Sequence, residues 1–300
     1  MTNSLVDGNP RSLGQFTVGP LAFGCWRFTS SSVAEARAIL EAALDTGMSL
    51  VDTADVYGLD WGGTGFGENE ALLGKVLAAA PTLRDRMVLA TKGGIAPPTP
   101  YNSGDAYLTA ACDASLRRLG VDVIDLYQIH RPDFFTHPEQ VAATLVKLRE
   151  AGKIREVGVS NHLPSQTDAL QAHLPFSIVA DQPEFSLAAL DPLRDGTLDR
   201  CMQHDRRPLA WSPLAGGALA TGTDQPPALI EVMDRLAERE GVSRAVIAVA
   251  FVLAHPSRPV AVVGSQQSER LAEQATAVGV GLDRDDVYQL IQAAEGRPLP

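Results

Sequence analysis

Eight short apolar runs, each followed by a helical stretch, constrain this chain more than any other feature. They cover residues 20–26, 49–55, 87–92, 124–130, 156–160, 178–182, 208–212 and 260–264. They are apolar at odd and even positions alike. Both faces must therefore be covered, which is the pattern of parallel strands under helices. Between the runs, apolar residues recur at helical spacing. Val33, Ala36, Ile39, Leu40, Ala43 and Leu44 are an example, opened by Ser32 as N-cap and stopped by Gly47. Further helices are predicted over 68–79, 105–119, 138–151, 165–173, 197–204, 228–240, 244–255 and 269–278, with a last one over 285–294. Eight such units in 300 residues predict one α/β domain, a (β/α)8 TIM barrel with an extra C-terminal helix. Residues 1–11 are polar and expected to fray, and 13–18 reads as a short hairpin. The first run is not followed by Gly-x-Gly-x-x-Gly, which disfavours a Rossmann sheet.

A net charge of −11 and the lack of any basic run argue against nucleic acid as a partner, because an acidic chain repels phosphate backbones. Cys25, Cys112 and Cys201 are odd in number and far apart, which points to a reducing compartment rather than a disulfide framework. The longest apolar run, 245–254, has ten residues, too few to span a bilayer. With no charged-then-apolar leader at the N-terminus, a cytoplasmic protein without a membrane partner is expected. Its oligomeric state is left open. The chain carries no P-loop, no His-Glu-x-x-His and no Asn-x-Ser/Thr triplet, and no metal site is expected.

Three of the runs end in titratable groups. The second carries Asp52 and runs out through Tyr57 into a Gly-rich loop. The third ends in Lys92 and the fourth in His130. In a barrel these carboxyl-terminal strand ends open on one mouth, where active sites are built.

Around those residues the chain resembles the aldo-keto reductase family. Val51-Asp52-Thr53-Ala54-Asp55-Val56-Tyr57-Gly58 looks like the family signature after strand two. Ala90-Thr91-Lys92 and Asp125-Leu126-Tyr127-Gln128-Ile129-His130-Arg131-Pro132 look like its third and fourth strand ends. Gly158-Val159-Ser160-Asn161, Asp181-Gln182-Pro183-Glu184 and Trp211-Ser212-Pro213-Leu214 continue the match in order. The resemblance implies a barrel that holds NAD(P)H over its mouth and reduces aldehydes or ketones reversibly. It implies a tetrad of Asp52, Tyr57, Lys92 and His130.

Those roles make physical sense. A phenol with pKa near 10 is a reluctant donor at neutral pH, and lowering it by about three units takes roughly 4 kcal/mol. A neighbouring Lys⁺ favours the phenolate and can supply much of that. Asp52 would aim Lys92, and His130 would orient the substrate oxygen.

For the cofactor, the resemblance implies Ser160, Asn161 and Gln182 on the carboxamide and Trp211 stacked on the nicotinamide, with Gly24, Cys25 and Trp26 nearby. Ser212, Pro213, Leu214, Gly216 and Gly217 form a loop towards the pyrophosphate. Gly264, Ser265, Gln267, Arg270, Glu273 and Gln274 hold the adenosine end. Ser265 and Arg270 match phosphate contacts, so NADPH is expected to be favoured over NADH. The substrate is a small-molecule carbonyl compound, with Trp26, Trp61, Phe66 and Tyr101 as its expected walls. Asp55, His162 and Glu184 are given no chemistry. Two rival readings are a Schiff-base aldolase using Lys92 and a non-catalytic, NADPH-binding regulatory barrel.

Overall fold

The computed structural model describes residues 4–30, 32–59 and 62–300. Eight parallel strands close into a barrel: Leu21–Gly24, Leu50–Asp52, Val88–Gly93, Ile124–Ile129, Ile154–Ser160, Ala180–Gln182, Arg207–Trp211 and Val260–Val263. The first and last pair with each other, Leu21 opposite Ala261 and Phe23 opposite Val263. Each predicted run contains or overlaps one of these strands, and the fold is the expected (β/α)8 TIM barrel.

Side chains alternate along a strand, so two apolar layers form. Ala22, Leu50, Val88, Ala90, Leu126, Ala180, Leu209, Val260 and Val262 fill the barrel interior. Phe23, Val51, Leu89, Ile129, Val157, Val159, Ala210 and Val263 face the helices. The helix Arg244–Leu253 has every residue from Ala245 onwards buried. Its apolar composition on all sides requires that placement.

The helix Val33–Asp45 starts where Ser32 caps it, the Ser32 side chain accepting from the Glu35 amide. The extra C-terminal helix, Arg284–Glu295, is capped by Asp283 in the same way and packs on the helix Pro227–Glu240.

The hairpin Arg11–Leu13 with Phe16–Val18 adds Leu13 and Val18 to the interior layer. Residues 4–11, expected to fray, are tied down instead. The Leu5 amide donates to the Leu282 carbonyl at 2.7 Å. Arg11 is fully buried, and its guanidinium donates to the carbonyls of Asp7, Asn9 and Pro259. The polar groups of this segment supply donors and acceptors that fasten it to the barrel. A further element follows strand three. The loop holding Pro97-Pro98-Thr99-Pro100 folds into a hairpin, Ile95–Ala96 against Thr99–Tyr101.

Among the described residues no helix is long and apolar enough to cross a membrane.

Candidate active site

The inward column of each strand ends at the barrel mouth in a distinctive residue. Val88 and Ala90 are followed on the same face by Lys92, Leu50 by Asp52, Leu126 by Gln128 and His130, Ala180 by Gln182, and Ala22 by Gly24. The period of two that fills the core therefore also aims the site. Above it opens a cavity of about 1200 Å³ lined by Asp52, Tyr57, His130 and residues from the ends of strands five to eight.

Lys92 lies at the centre and is fully buried. Its Nζ donates to Asp52 Oδ2 at 2.6 Å, to the Thr53 carbonyl at 2.9 Å and to the Tyr57 hydroxyl at 3.2 Å. An ammonium has three donors, and all three are used. Burial alone would pull the Lys92 pKa down. Asp52 and Tyr57 outweigh it and hold the ammonium above its ordinary value. The other Asp52 oxygen, Oδ1, accepts from Gln128 Nε2 at 3.0 Å and Gln182 Nε2 at 3.1 Å. The carboxylate is thus fixed by three strands.

Burial lifts the Tyr57 phenol above its ordinary value, Lys92 opposes that, and Asp52 adds to it. Lys92 thus acts in the expected direction, while desolvation is the larger effect in the site as it stands. His130 meets the Tyr57 ring edge-on at 5.8 Å. Burial, then the charge of Lys92, holds its pKa well below the ordinary value, so the imidazole is neutral. Its Nδ1 has no partner among the described residues.

On the other side of the mouth, Ser160 Oγ donates to the Gln182 carbonyl at 3.0 Å and accepts from Asn161 Nδ2 at 2.8 Å. Trp211 Nε1 donates to Asn161 Oδ1 at 2.9 Å. Asn161, Ser212 and Ala215 have φ of 56°, 55° and 48°, and all three line the cavity. Left-handed backbone at non-glycine residues is uncommon and collects at functional sites. Here it turns the chain sharply after strands five and seven. Gly216 and Gly217 also have positive φ. The Arg27 guanidinium donates to the Gly216 carbonyl at 2.9 Å, joining the loops after strands one and seven.

The far end of the cavity holds Gly264, Ser265, Arg270, Glu273 and Gln274. Gln274 is 4% exposed, and its Oε1 has no partner among the described residues.

Most of the residues singled out from sequence line this one cavity: Asp52, Tyr57 and His130 of the expected tetrad, then Gly24, Trp26, Ser160, Asn161, Gln182, Trp211, Ser212, Pro213, Leu214, Gly216 and Gly217. Five do not. Lys92 is fully buried behind Asp52 and Tyr57. Cys25 is fully buried beneath the mouth, contributing a carbonyl to Asn69 Nδ2 at 2.6 Å. Gln267 lies at the start of the helix Ser268–Ala275. Phe66 points to Arg118, whose guanidinium sits 5.8 Å over its ring. Tyr101 stands on the far strand of the hairpin against Phe134, at 6.0 Å, while Ile95 and Pro97 face the cavity instead. Trp61 lies outside the described residues. Sequence reasoning missed Gln128, Arg27, Arg131, Val56 and Leu59. Gln128 was legible from period two, being two residues before His130.

The Aldo/keto reductase family model matches residues 20–295, and the chain belongs to this family. It is 47% identical over 295 residues to a 6-dehydroglucose reductase of Novosphingobium aromaticivorans, each chain being covered to 97%. It is 35% identical over 291 residues to a 6-dehydroglucose reductase of Agrobacterium fabrum, with 93% of this chain and 95% of that one covered. Among solved structures, a thermostable aldo-keto reductase crystallised with the inhibitor epalrestat matches 95% of this chain and 99% of its own. The TM-score is 0.82 at 25% identity.

Proposed function

We propose that the chain reduces an aldehyde to an alcohol, reversibly, with NADPH as the hydride source and Tyr57 as the proton donor. The observation that carries this is the Lys92 Nζ, 2.6 Å from Asp52 Oδ2 and 3.2 Å from the Tyr57 hydroxyl, at the floor of the cavity. Tyr57 gives its proton to the carbonyl oxygen, and the resulting phenolate is stabilised by the ammonium beside it. Asp52 keeps Lys92 charged throughout. His130, neutral, has an N–H to offer the same oxygen and so fixes which carbonyl face is presented. In oxidation the Tyr57 phenolate takes the proton back.

The residues present fit a nicotinamide dinucleotide. Ser160 and Asn161 offer a hydroxyl and an amide, and Gln182 keeps its Oε1 after committing Nε2 to Asp52. These would hold the carboxamide, with the Trp211 ring against the nicotinamide. The bare backbone of Gly216 and Gly217 admits a pyrophosphate. The orphaned Gln274 Oε1 is an acceptor for an adenine amino group, beside Glu273. Arg270 lines the cavity and makes no ion pair among the described residues. With Ser265 it would grip a 2′-phosphate, which supports NADPH over NADH. When bound, the reduced nicotinamide supplies the hydride.

The relatives named 6-dehydroglucose reductases support a sugar aldehyde as the substrate, its reacting carbon at the terminal position. Three free, buried cysteines and an acidic surface support a cytoplasmic location. The aldolase reading is disfavoured. A Schiff-base nucleophile must be a neutral, mobile amine, whereas Lys92 is held as a cation by three hydrogen bonds.

Tyr57→Phe tests the proposal. It should reduce NADPH-dependent turnover of 6-dehydroglucose at least a hundredfold, of the order expected for losing a general acid, with NADPH affinity nearly unchanged. Near-normal turnover would refute the assignment.

A further inference from the structure

Arg131 is the charged side chain at the mouth that the chemistry above leaves unused. It follows His130, is half-buried and lines the same cavity. Among the described residues it makes no hydrogen bond or ion pair. Its charge is nonetheless felt. It helps burial and Lys92 to keep His130 neutral, and it opposes burial in lifting the Glu184 carboxyl. The walls of the same cavity include Leu59, Ile95 and Pro97, whose side chains offer no acceptor for a guanidinium. Asp52, the acid on the floor, has both oxygens committed. A ligand in the cavity can supply the acceptors that Arg131 lacks.

Tyr57 and His130 account for one ligand oxygen, the carbonyl. Arg131 lines the same cavity as Tyr57 and His130, so its fork can meet other oxygens of the same molecule. A guanidinium presents parallel N–H groups in a plane and prefers two oxygens on neighbouring atoms. Vicinal hydroxyls offer that pair, and so does a carboxylate. Glu184 decides between them. It bridges through its backbone to Trp211, which lines the cavity, and a carboxylate there, coupled to Arg131, repels an anion while tolerating a neutral diol.

We propose that Arg131 determines specificity by holding vicinal hydroxyls of a neutral, polyhydroxylated aldehyde. This rests on the reductase reading above.

The experiment compares wild type, Arg131→Met, Arg131→Gln and Arg131→Lys on 6-dehydroglucose, 4-nitrobenzaldehyde and succinic semialdehyde, each with NADPH. One or two charged hydrogen bonds are at stake. Arg131→Met and Arg131→Gln should therefore lose about ten- to a hundredfold more kcat/KM on the sugar than on the nitrobenzaldehyde, mainly through KM. Arg131→Lys should recover part of it. NADPH binding by fluorescence quenching should match wild type in all three, which shows that the site is folded. Equal losses on sugar and nitrobenzaldehyde, or no loss on either, overturn the proposal. So does a larger loss on succinic semialdehyde, which would make the site an anion receptor. Wild type that reduces nitrobenzaldehyde but not 6-dehydroglucose overturns it while leaving the reductase reading intact. Wild type inert towards every aldehyde while binding NADPH overturns both.

Discussion

Replacing Lys92 with Met should separate what the buried ion pair does for the fold from what it does for the reaction. The side chain keeps its length and loses its three donors. Asp52 Oδ2 and the Thr53 carbonyl lose a partner, and the carboxylate remains buried without its cation. Removing one member of a buried pair destabilises by about 3–5 kcal/mol. Asp52 keeps two amide donors, from Gln128 and Gln182, so the lower end of about 3 kcal/mol is expected. Urea unfolding followed by tryptophan fluorescence measures it. Turnover of 4-nitrobenzaldehyde should fall by at least about a hundredfold, the contribution of a positioned acid, because burial still lifts the phenol and nothing opposes it. Asp52→Asn in the same chain removes the stranded charge. The double variant should regain about 2 kcal/mol and remain inactive, a coupling of the size seen for contacting charges. A Lys92→Met protein within about 1 kcal/mol of wild type, or a double variant no more stable than the single one, would refute the reasoning.

Arg270→Ala should raise the NADPH dissociation constant about tenfold or more, as for the loss of a charged hydrogen bond, and barely move that of NADH. Fluorescence titration with both cofactors checks this, and equal losses would place the phosphate elsewhere. Stability should also depend on pH through His162, whose Nδ1 lies 3.0 Å from the Ser160 carbonyl and whose pKa burial lowers from 6.5 to about 4. Between those values the unfolded chain binds the proton and the fold does not. About 3 kcal/mol of stability present above pH 6.5 is therefore lost as pH falls towards 4. His162→Gln should flatten that slope in urea titrations at several pH values. Asp181, raised by burial from 3.8 to about 7, acts with the opposite sign, favouring the fold as pH drops through that window. Asp181→Asn should therefore steepen the acid loss.

The barrel was legible because its strands are buried on both faces and its helices are punctuated by caps such as Ser32, Gly120 and Gly241. The placing of Asp52, Tyr57, Lys92 and His130 together was legible because each ends or follows an apolar run. Three features were hidden for different reasons. The hairpin over 95–101 was hidden by its prolines at 97, 98 and 100, yet it needs few amide donors and tolerates them at an edge. The burial of Arg11 was hidden because one of its acceptors, the Pro259 carbonyl, is distant in sequence. Phe66 read as a substrate wall by its place in the loop. A cation–π contact with Arg118, from the helix Asp105–Leu119, turns it away, and nothing local in the sequence encodes that partner.

The pairing of Leu21 with Ala261 has a consequence for how this protein is made. All four residues of the proposed tetrad leave the ribosome in the first half of synthesis, yet the sheet that spaces them is not a cylinder until the eighth strand arrives. Until then the nascent chain carries an open edge on the first strand, and Asp52 waits for Gln182 as its last donor. Such distant closure slows folding and leaves unsealed strand edges open to misassembly meanwhile. Shortening the chain before residue 260 should yield a catalytically silent, aggregation-prone product rather than a weakened enzyme.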